Sequence, residues 1–252
     1  MGDLSSYCVT TLPAESIDEA AKLMALAFSD SPAYNFIFQG DIHYRKDSLT
    51  WLFQKNLNLI QRRHPSALKG VFDGEDSNNK LIACCMWTPS SHVKLSKWDM
   101  ISAGLWLVPF KFGIATLRRF FQVTDQMESG EKDFFSLSSE NSTFVMLERM
   151  AIHPDFQGQG LGTKYLKSLL SETNIPIRLV TQEHRNVTFY ERLGFVVVGQ
   201  KEMEAHPAPS KNADDDHNDR RFTLTFWFMV RDPPIGLSSD DSYLEFTVSG
   251  DQ

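Results

Sequence analysis

A glycine-rich segment that runs directly into a helix-like stretch constrains the fold of this chain most strongly. The segment HPDFQGQGLGTKYLKSLL covers residues 153–170 and has glycines at positions 158, 160 and 162. The preceding residues, TFVMLERMAI (143–152), are typical of a strand. Since the start of a helix presents unpaired N–H groups and the positive end of the helix dipole, this pattern predicts a loop that binds a phosphate group.

Two familiar phosphate-binding loops do not fit this spacing. A dinucleotide fingerprint requires G-x-G-x-x-G, whereas the chain has G-x-G-x-G. A nucleotide P-loop requires Gly-Lys-Ser/Thr after four intervening residues, but Gly162 is followed by Thr163 and Lys164. A plain glycine turn before a helix remains the alternative.

Hydrophobic periodicity and turn residues predict helices packed on a mixed sheet. Strands are predicted over 8–12, 67–73, 80–88, 143–152, 177–181, 195–200 and 221–230, and helices over 14–28, 45–62, 161–172 and 186–193. Residues 29–41 read as a turn with several aromatic side chains, and residues 90–141 as helix and loop. Without a repeat or an obvious linker, we expect one domain over 1–232 and a polar tail over 233–252.

Composition excludes several classes of partner. The net charge of the 252 residues is −7, which disfavours a nucleic-acid surface and weakly attracts a cationic substrate. The three cysteines have no metal-ligand spacing, so no metal site is expected. The run DDDHND (214–219) matches no known metal loop and reads as a solvated turn.

No membrane association or export is expected. The first 20 residues lack a basic start followed by an apolar run, which predicts a cytoplasmic protein. The apolar run 101–117 falls short of the ~20 residues that a spanning helix needs, and it contains Pro109 and Lys111. An amphipathic cover over a pocket suits this run better.

The glycine loop and its surroundings resemble the GCN5-related N-acetyltransferase (GNAT) superfamily. The resemblance lies in Gln157-x-x-Gly160-x-Gly162 after a strand ending in AIHPDF, and in NVTFYERLGF (186–195) some 25 residues later. The segments AFSDSPAYNFIF, MWTP and LVTQEHRNVTFYERLGF make the chain similar to puromycin N-acetyltransferase-like members, as far as about Asp232. The helical insertion and the acidic insert depart from that pattern, so the drug substrate is not implied.

The resemblance implies a GNAT fold of the α/β (α+β) class. This fold has a mixed, mostly antiparallel central sheet of about seven strands flanked by helices, with a helical insertion at about 90–141 between the third and fourth strands. It also implies that acetyl-CoA is the acetyl donor. The donor-binding residues so implied are Met150, Ala151, Ile152, Gln157, Gly158, Gln159, Gly160, Leu161, Gly162, Thr163 and Asn186.

Glu148 is the first candidate catalytic residue. With a strand's period of two, Met146, Glu148, Met150 and Ile152 share one face, unless a bulge of the kind common on this family strand changes the assignment. A carboxylate in such an apolar row is costly to bury without a purpose. We therefore expect Glu148 to accept a proton from the amine or to bind it; an ion pair with Arg149 or Arg178 is the alternative.

Tyr190 is the second candidate. It resembles the family tyrosine that protonates the departing coenzyme thiolate, although simple packing beside Phe189 and Phe195 would also explain it. Asn186 lies four residues earlier and shares its helical face. Because the motif stretches contain no cysteine, we expect direct attack in a ternary complex rather than an acyl-enzyme.

The acceptor is expected to be a small-molecule amine. Its pocket is predicted from aromatic residues of the first helix and turn, the hairpin strand and the insertion: Phe28, Tyr34, Phe36, Trp87 and Trp106. This set favours a bulky or aromatic amine over a bare polyamine. A protein or histone lysine acetyltransferase and a non-catalytic acyl-CoA sensor are the alternatives, and the protein is expected to be a monomer or homodimer.

Overall fold

The computed structural model describes residues 9–74, 80–90, 104–135, 143–205 and 222–233. Within these ranges one sheet is built from β1 (Thr10–Thr11), β2 (Leu68–Asp73), β3 (Lys80–Pro89), β4 (Val145–Ile152), β5 (Ile177–Thr181), β6 (Val196–Ala205) and β7 (Phe222–Arg231). The accompanying helices are α1 (Ile17–Phe28), α2 (Pro32–Ile37), α3 (Ile42–Arg63), α4 (Val108–Phe112), α5 (Ile114–Phe135), α6 (Leu161–Ser171) and α7 (His184–Glu191).

The sheet has the strand order β1-β2-β3-β4-β5-β7-β6, and each neighbouring pair except one is antiparallel. The exception is β4 with β5, which run parallel and pair only at Val145 with Ile177 and at Met146 with Arg178. Beyond those two pairs the strands separate. The main chain of β4 from Leu147 onward therefore has a free edge, and a cleft opens in the middle of the sheet.

A β-bulge interrupts β4 where the cleft opens. Cys84 lies opposite Ala151, whereas Met86 lies opposite Glu148, so β4 has one residue more than β3 over this stretch. Arg149 takes up the extra length with a φ of 50°, in a region that side chains other than glycine rarely adopt. The bulge shifts the residues after it to the opposite face of the sheet.

The two faces of the sheet carry separate cores. The front core packs α1, α2, α3 and α5 on the sheet and includes Ala20, Met24, Leu49, Phe53 and Phe228. The rear core packs α6 and α7 on the other face and includes Leu161, Tyr165, Leu169, Val187 and Met229. The amphipathic helices α1 and α6 thus bury their apolar faces on opposite sides of the strands.

Helix α5, which follows β3 and α4 in the chain, crosses the sheet at very close range. Gly130 lies so near Phe228 that a Cβ atom there would overlap the ring, and Gly199 of β6 is equally close to Phe134. Lys201 ties the helix to β6, because its Nζ lies 2.7 Å from Asp133 and donates to Ser129 at 2.6 Å. These contacts fix the position of α5 over the sheet.

The predicted α/β class, the seven strands and the helices between the third and fourth strands are confirmed. The interpretation of residues 29–41 as a turn was wrong, since Pro32 occupies the first turn of α2, where its fixed φ favours a helix. Helix α3 begins earlier than predicted, because the Asp41 side chain accepts a hydrogen bond from the Tyr44 N–H at 2.8 Å and caps it.

Some predicted segments lie outside the described residues. They are the acidic run 214–219, the tail after Pro233 and, within the insertion, residues 91–103 and 136–141. Among the helices that the structure describes, none combines the length and apolar character required to cross a membrane.

Candidate active site

The glycine loop offers a row of unpaired main-chain N–H groups. The first hydrogen bond of α6 runs from the Lys164 N–H to the Gly160 carbonyl at 3.1 Å. The six N–H groups of residues 158–163 donate to no described residue. Together with the positive end of the α6 dipole they form a site for an anion, and a pyrophosphate fits this arrangement without any cationic side chain.

Gly158 and Gly160 are required by the backbone of this loop. Their φ angles are 73° and 82°, a conformation that strains any side chain with a Cβ atom. The space beside both is open, since a Cβ atom at either position would meet nothing within 4 Å. The loop is therefore shaped by main-chain conformation, and its outer surface is free for a ligand.

The two glutamines of the loop hold it in place through their side chains. The Gln157 Nε2 donates to the Ile152 carbonyl at 2.9 Å, which connects the loop to the end of β4. The Gln159 Nε2 donates to the Asp155 carbonyl at 2.6 Å within the loop. The Gln157 N–H donates to the Pro154 carbonyl at 3.1 Å, whereas the Gln159 N–H belongs to the unpaired row.

The free edge of β4 provides further main-chain donors. The His153 N–H donates to the Ile82 carbonyl of β3 at 2.8 Å, and Ala151 pairs with Cys84 on the same side. Because successive N–H groups of a strand point to opposite edges, those of Met150 and Ile152 point into the cleft. This edge suits an extended ligand with amide groups, as the arm of a coenzyme A molecule has.

Tyr190 and Asn186 lie on α7, beside the rear core. The Tyr190 ring packs against Phe189 and Phe195, with centroid separations of 5.1 and 5.6 Å, and burial followed by the nearby Cys85 raises the pKa of its phenol. A phenol with a raised pKa stays protonated at neutral pH and is a weaker acid than an exposed tyrosine. The Asn186 Nδ2 donates to Thr181 Oγ1 at 3.2 Å, at the end of β5.

A cavity of about 260 Å³ lies between the sheet and the front helices, where β4 leaves β5. Three carboxylates, one guanidinium and a largely apolar surface line it. The lining residues are Phe28, Ala33, Tyr34 and Ile37 from α1 and α2; Phe120, Val123, Thr124, Met127, Glu128 and Glu131 from α5; Met146, Leu147, Glu148 and Arg149 from β4; and Val180 and Gln182 from β5 and its end.

Glu148 lies in the wall of this cavity, and no described residue forms an ion pair with it. The expected ion pair with Arg149 or Arg178 is therefore absent from the described part of the chain. The prediction that Met150 and Ile152 share its face was wrong, because the bulge turns both side chains toward the rear core. Glu148 and Arg149 face the front side together instead.

Arg149 is held at the bulge by several weak contacts. Its Nη1 donates to Asn56 Oδ1 at 3.3 Å and to Met86 Sδ at 3.1 Å, and its guanidinium lies 5.8 Å from the Phe53 ring centre. Its buried Nε donates to no described acceptor, which costs about 1–3 kcal/mol. With the unusual φ, this makes the bulge a strained feature of the cavity wall.

Glu131 and Glu128 bring further negative charge to the cavity from α5. Burial, followed by the charges of Glu148 and Glu128, raises the pKa of Glu131 to about 7, while Arg178 acts in the opposite direction. No described residue makes a hydrogen bond or ion pair with Glu131. Its half-buried carboxylate therefore faces the cavity without a partner of opposite charge in contact.

Three of the five aromatic residues predicted for the acceptor pocket lie elsewhere. Trp87 packs in the rear core, because alternation along β3 turns it away from Met86 and the front side. Phe36 is buried against Phe222, with ring centres 6.3 Å apart. Trp106 is 55% exposed and packs on Phe110. Phe28 and Tyr34 do line the cavity.

Comparison with known families supports the interpretation of the glycine loop. Residues 119–197 match the family model described as "Acetyltransferase (GNAT) domain". The matched range contains the loop, Glu148 and Tyr190. Residues 119–197 are therefore similar to a GNAT acetyltransferase domain.

Solved structures share the GNAT fold at low sequence identity. A Corynebacterium glutamicum protein described as histone acetyltransferase HPA2 and related acetyltransferase is 18% identical, with a TM-score of 0.55 over 92% of this chain and 99% of that one. The putative arylalkylamine N-acetyltransferase 7 of Aedes aegypti is 12% identical, with a TM-score of 0.55 over 90% of each chain. The polyamine N-acetyltransferase of Drosophila melanogaster is 8% identical, with a TM-score of 0.52 over 89% and 99%.

Sequence reasoning missed the contribution of α5 to the cavity. Phe120, Val123, Met127 and Glu131 follow one another at intervals of three or four residues and so lie along one face of the helix. Glu131 interrupts that apolar face with a carboxylate. A carboxylate on an otherwise apolar helix face is the sequence signal that could have indicated the contribution of α5.

Proposed function

We propose that the chain transfers the acetyl group of acetyl-CoA to the amine of a small molecule, by direct attack in a ternary complex. One observation carries the proposal: the cavity that contains Glu148 begins where β4 parts from β5. Met146 forms the last pair with β5, and residues 146–149 line the cavity. An acetyl donor lying in the cleft would therefore present its thioester at the mouth of the cavity.

The donor would be held largely by main-chain groups. The N–H groups of residues 158–163 would bind the pyrophosphate, and the N–H groups of Met150 and Ile152 would pair with the pantetheine arm. Asn186 would support the same arm from α7. An N–H group of the β4 edge near the thioester would also stabilise the negative charge that develops on its carbonyl oxygen.

The proton transfers are assigned to Glu148 and Tyr190. Glu148 takes a proton from the substrate ammonium, and the neutral amine nitrogen then forms a bond with the thioester carbon. When the carbon–sulfur bond breaks, Tyr190 gives its phenolic proton to the departing thiolate. The new amide loses its surplus proton to solvent, and the tyrosinate takes one back. Glu148 releases its proton to solvent, so that the products are the N-acetyl amine, the coenzyme thiol and one proton.

A small amine is favoured over a protein substrate by the shape of the site. Helices α1, α2 and α5 line the cavity on the front of the sheet, whereas a peptide would need an open groove. Fold neighbours named for arylalkylamine and polyamine acceptors are in keeping with this class.

Release of free thiol from acetyl-CoA tests the proposal. The panel contains phenethylamine, an aminonucleoside, 1,4-diaminobutane, an amino acid and a histone-tail peptide. We expect turnover with a small amine, and a fall in kcat of about 10²–10⁴ in Glu148→Gln, which is the usual contribution of a general base. Tyr190→Phe should also reduce kcat. Glu172→Gln and Tyr44→Phe make the same chemical changes at exposed positions and serve as controls.

The outcome separates the alternatives. Turnover with the peptide alone would support a protein acetyltransferase. Binding of acetyl-CoA without thiol release from any acceptor would support the non-catalytic sensor. Unchanged kcat in both active-site variants would leave the acetyl transfer in place but contradict the roles given to Glu148 and Tyr190.

A further inference from the structure

The three carboxylates that line the cavity, called the carboxylate row here, differ in their exposure. Glu128 and Glu131 are three residues apart on α5 and so lie on the same face of the helix. Glu128 is exposed, whereas Glu131 and Glu148 are partly buried. The charges of both others raise the pKa of Glu131, so the three carboxylates lie close enough to interact.

The row is spread out along the wall of the cavity. Among the described residues, no three carboxylate, histidine or cysteine side chains converge closely enough to hold one metal ion. A single compact cation would therefore not contact all three glutamates. A longer molecule with positive charge at both ends would contact the row along its length.

The positive groups nearby do not neutralise this row by direct contact. The Arg149 guanidinium is engaged with Asn56 and Met86, and no described residue forms an ion pair with Glu131. The Arg178 guanidinium lies 4.0 Å from the Phe144 ring centre and 5.2 Å from that of Phe135. Arg178 offsets part of the repulsion at Glu131, and a bound cation would relieve more of it.

The remaining walls suit an aliphatic chain. Phe28, Ile37, Phe120, Val123, Met127 and Met146 provide apolar surface between the charged positions. A methylene chain buried against such surface gains free energy from the hydrophobic effect, while its charged ends stay with the carboxylates.

We propose that the preferred acceptor is a compact aliphatic amine with a second cationic group, and that Glu131, assisted by Glu128, binds that second group. This inference rests on the proposed function of the cavity, in which Glu148 receives the reacting amine. It departs from the expectation of a bulky aromatic acceptor, because the aromatic residues Trp87 and Trp106 lie outside the cavity and carboxylates line it instead.

A matched pair of amines tests the inference. 1,4-Diaminobutane and n-butylamine have the same chain length and differ in the second cation, and thiol release from acetyl-CoA is measured with both. We expect kcat/KM of the parent protein to be at least tenfold higher for the diamine. Glu131→Gln should remove most of that preference by raising KM for the diamine, so that the ratio of kcat/KM for the two amines falls to within about twofold of one. Glu128→Gln should have a smaller effect, since its carboxylate is exposed.

The control is Asp125→Asn, which removes a charge from an exposed position of the same helix that does not line the cavity. This variant should prefer 1,4-diaminobutane over n-butylamine to the same extent as the parent. Equal use of both amines by the parent would overturn the inference, as would an equal loss of kcat for both amines in Glu131→Gln, which would make Glu131 a proton acceptor. Thermal unfolding verifies that each variant is folded.

Calorimetry separates a failure of this inference from a failure of the proposed function. If no amine yields free thiol with any variant, the proposed transfer is wrong. Titration of 1,4-diaminobutane into the parent and into Glu131→Gln then decides whether Glu131 binds the second cationic group. Binding to the parent that weakens at least tenfold in the variant supports the inference, and no binding, or equal binding, overturns it.

Discussion

The cleft beside the glycine loop, proposed to bind the donor, and the cavity proposed for the acceptor are called the donor cleft and the acceptor cavity here, and they are built on opposite principles. The donor cleft is formed by neighbouring residues, over 150–163, and its ligand groups are main-chain N–H groups that any sequence with the right glycines can present. The acceptor cavity takes side chains from α1, α2, α5, β4 and β5, which are far apart in the chain. The donor cleft thus depends on a short contiguous segment of common type. The acceptor cavity depends on side chains from distant segments, whose identities are particular to this protein.

The two regions also differ in their electrostatics. The donor cleft attracts anions through oriented peptide dipoles that carry no net charge. The acceptor cavity would attract cations through the side chains of Glu128, Glu131 and Glu148, and the pKa of Glu131 is raised to about 7 by burial and by the charges of the other two. Variants that affect one region and leave the other intact therefore test whether the two regions bind different substrates.

The largest effect is expected from Gly130→Ala, which disturbs the acceptor side. The new methyl group would overlap the Phe228 ring, so α5 or the ring must move. We expect a net loss of about 2 kcal/mol in the free energy of unfolding, since overpacking outweighs the better helix propensity of alanine. Because α5 carries Glu131, KM for the amine should rise while KM for acetyl-CoA stays within about twofold.

Urea unfolding and steady-state kinetics measure these changes. Asp125→Ala places alanine at an exposed position of the same helix and should leave stability and both KM values nearly unchanged. If Gly130→Ala were as stable as the parent, the close packing of α5 on the sheet would be disproved.

Gly160→Ala is the corresponding test of the donor side. A Cβ atom there meets nothing within 4 Å, so the variant acts through the φ of 82° alone, at a cost of about 1–2 kcal/mol. We expect KM for acetyl-CoA to rise about tenfold, equivalent to about 1.4 kcal/mol, with KM for the amine unchanged.

Gly113→Ala is a matched control for this experiment. Gly113 has a φ of 85° and equally open surroundings, but it lies between α4 and α5, away from the glycine loop. Its stability should fall by a similar amount without any change in KM for acetyl-CoA. A similar rise in that KM would mean that both substitutions act by general destabilisation.

The same division explains which parts of the molecule could be predicted from the sequence. The glycine loop could be recognised because its residues are contiguous in the sequence. Glycines placed directly before a helix-like stretch are typical of a loop with unpaired main-chain N–H groups. Even there, the bulge at Arg149 defeated the period-two assignment of Met150 and Ile152, since one inserted residue reverses every face that follows.

The acceptor cavity was harder to predict. Phe28 and Tyr34 were identified, but Glu131 contacts the cavity only because α5 is placed over the sheet by glycines at 130 and 199, nearly 70 residues apart. The periodicity of a sequence indicates which face of a helix or strand is apolar. It does not indicate which distant helix or strand packs on that face. Trp87 was misplaced for this reason, because an aromatic residue at the end of β3 can pack on either face of the sheet.

The pH dependence of unfolding of Glu131→Gln should show how much the charged Glu131 carboxylate destabilises the folded protein. Its folded-state pKa of about 7 exceeds the ordinary value of 4.5, so the native protein binds the proton more tightly than the unfolded chain. Stability from this group is present below pH 4.5 and is lost as the pH rises through 7. The variant should therefore be about 1 kcal/mol more stable than the parent at pH 8 and equal to it at pH 4.5.

Thermal unfolding at both pH values measures this difference, which corresponds to about 2–4 °C in Tm at pH 8. Glu128 and Glu148 face Glu131 and raise its pKa, whereas Arg178 lowers it, so the comparison is made in low salt. Asp125→Asn should show no such pH dependence. Equal stability of Glu131→Gln and the parent at pH 8 would mean that the carboxylate is well solvated.

The smallest effect is expected from Trp106→Ala, which tests where the acceptor cavity ends. The indole is 55% exposed and packs on Phe110, outside the cavity wall. We expect the free energy of unfolding to change by less than about 0.5 kcal/mol and KM for the amine to stay within about twofold. Phe28→Ala, which removes a ring from the wall itself, should raise that KM clearly. A comparable rise in Trp106→Ala would mean that the indole covers the bound amine, and the acceptor side would then extend along the chain to the residues that precede α4.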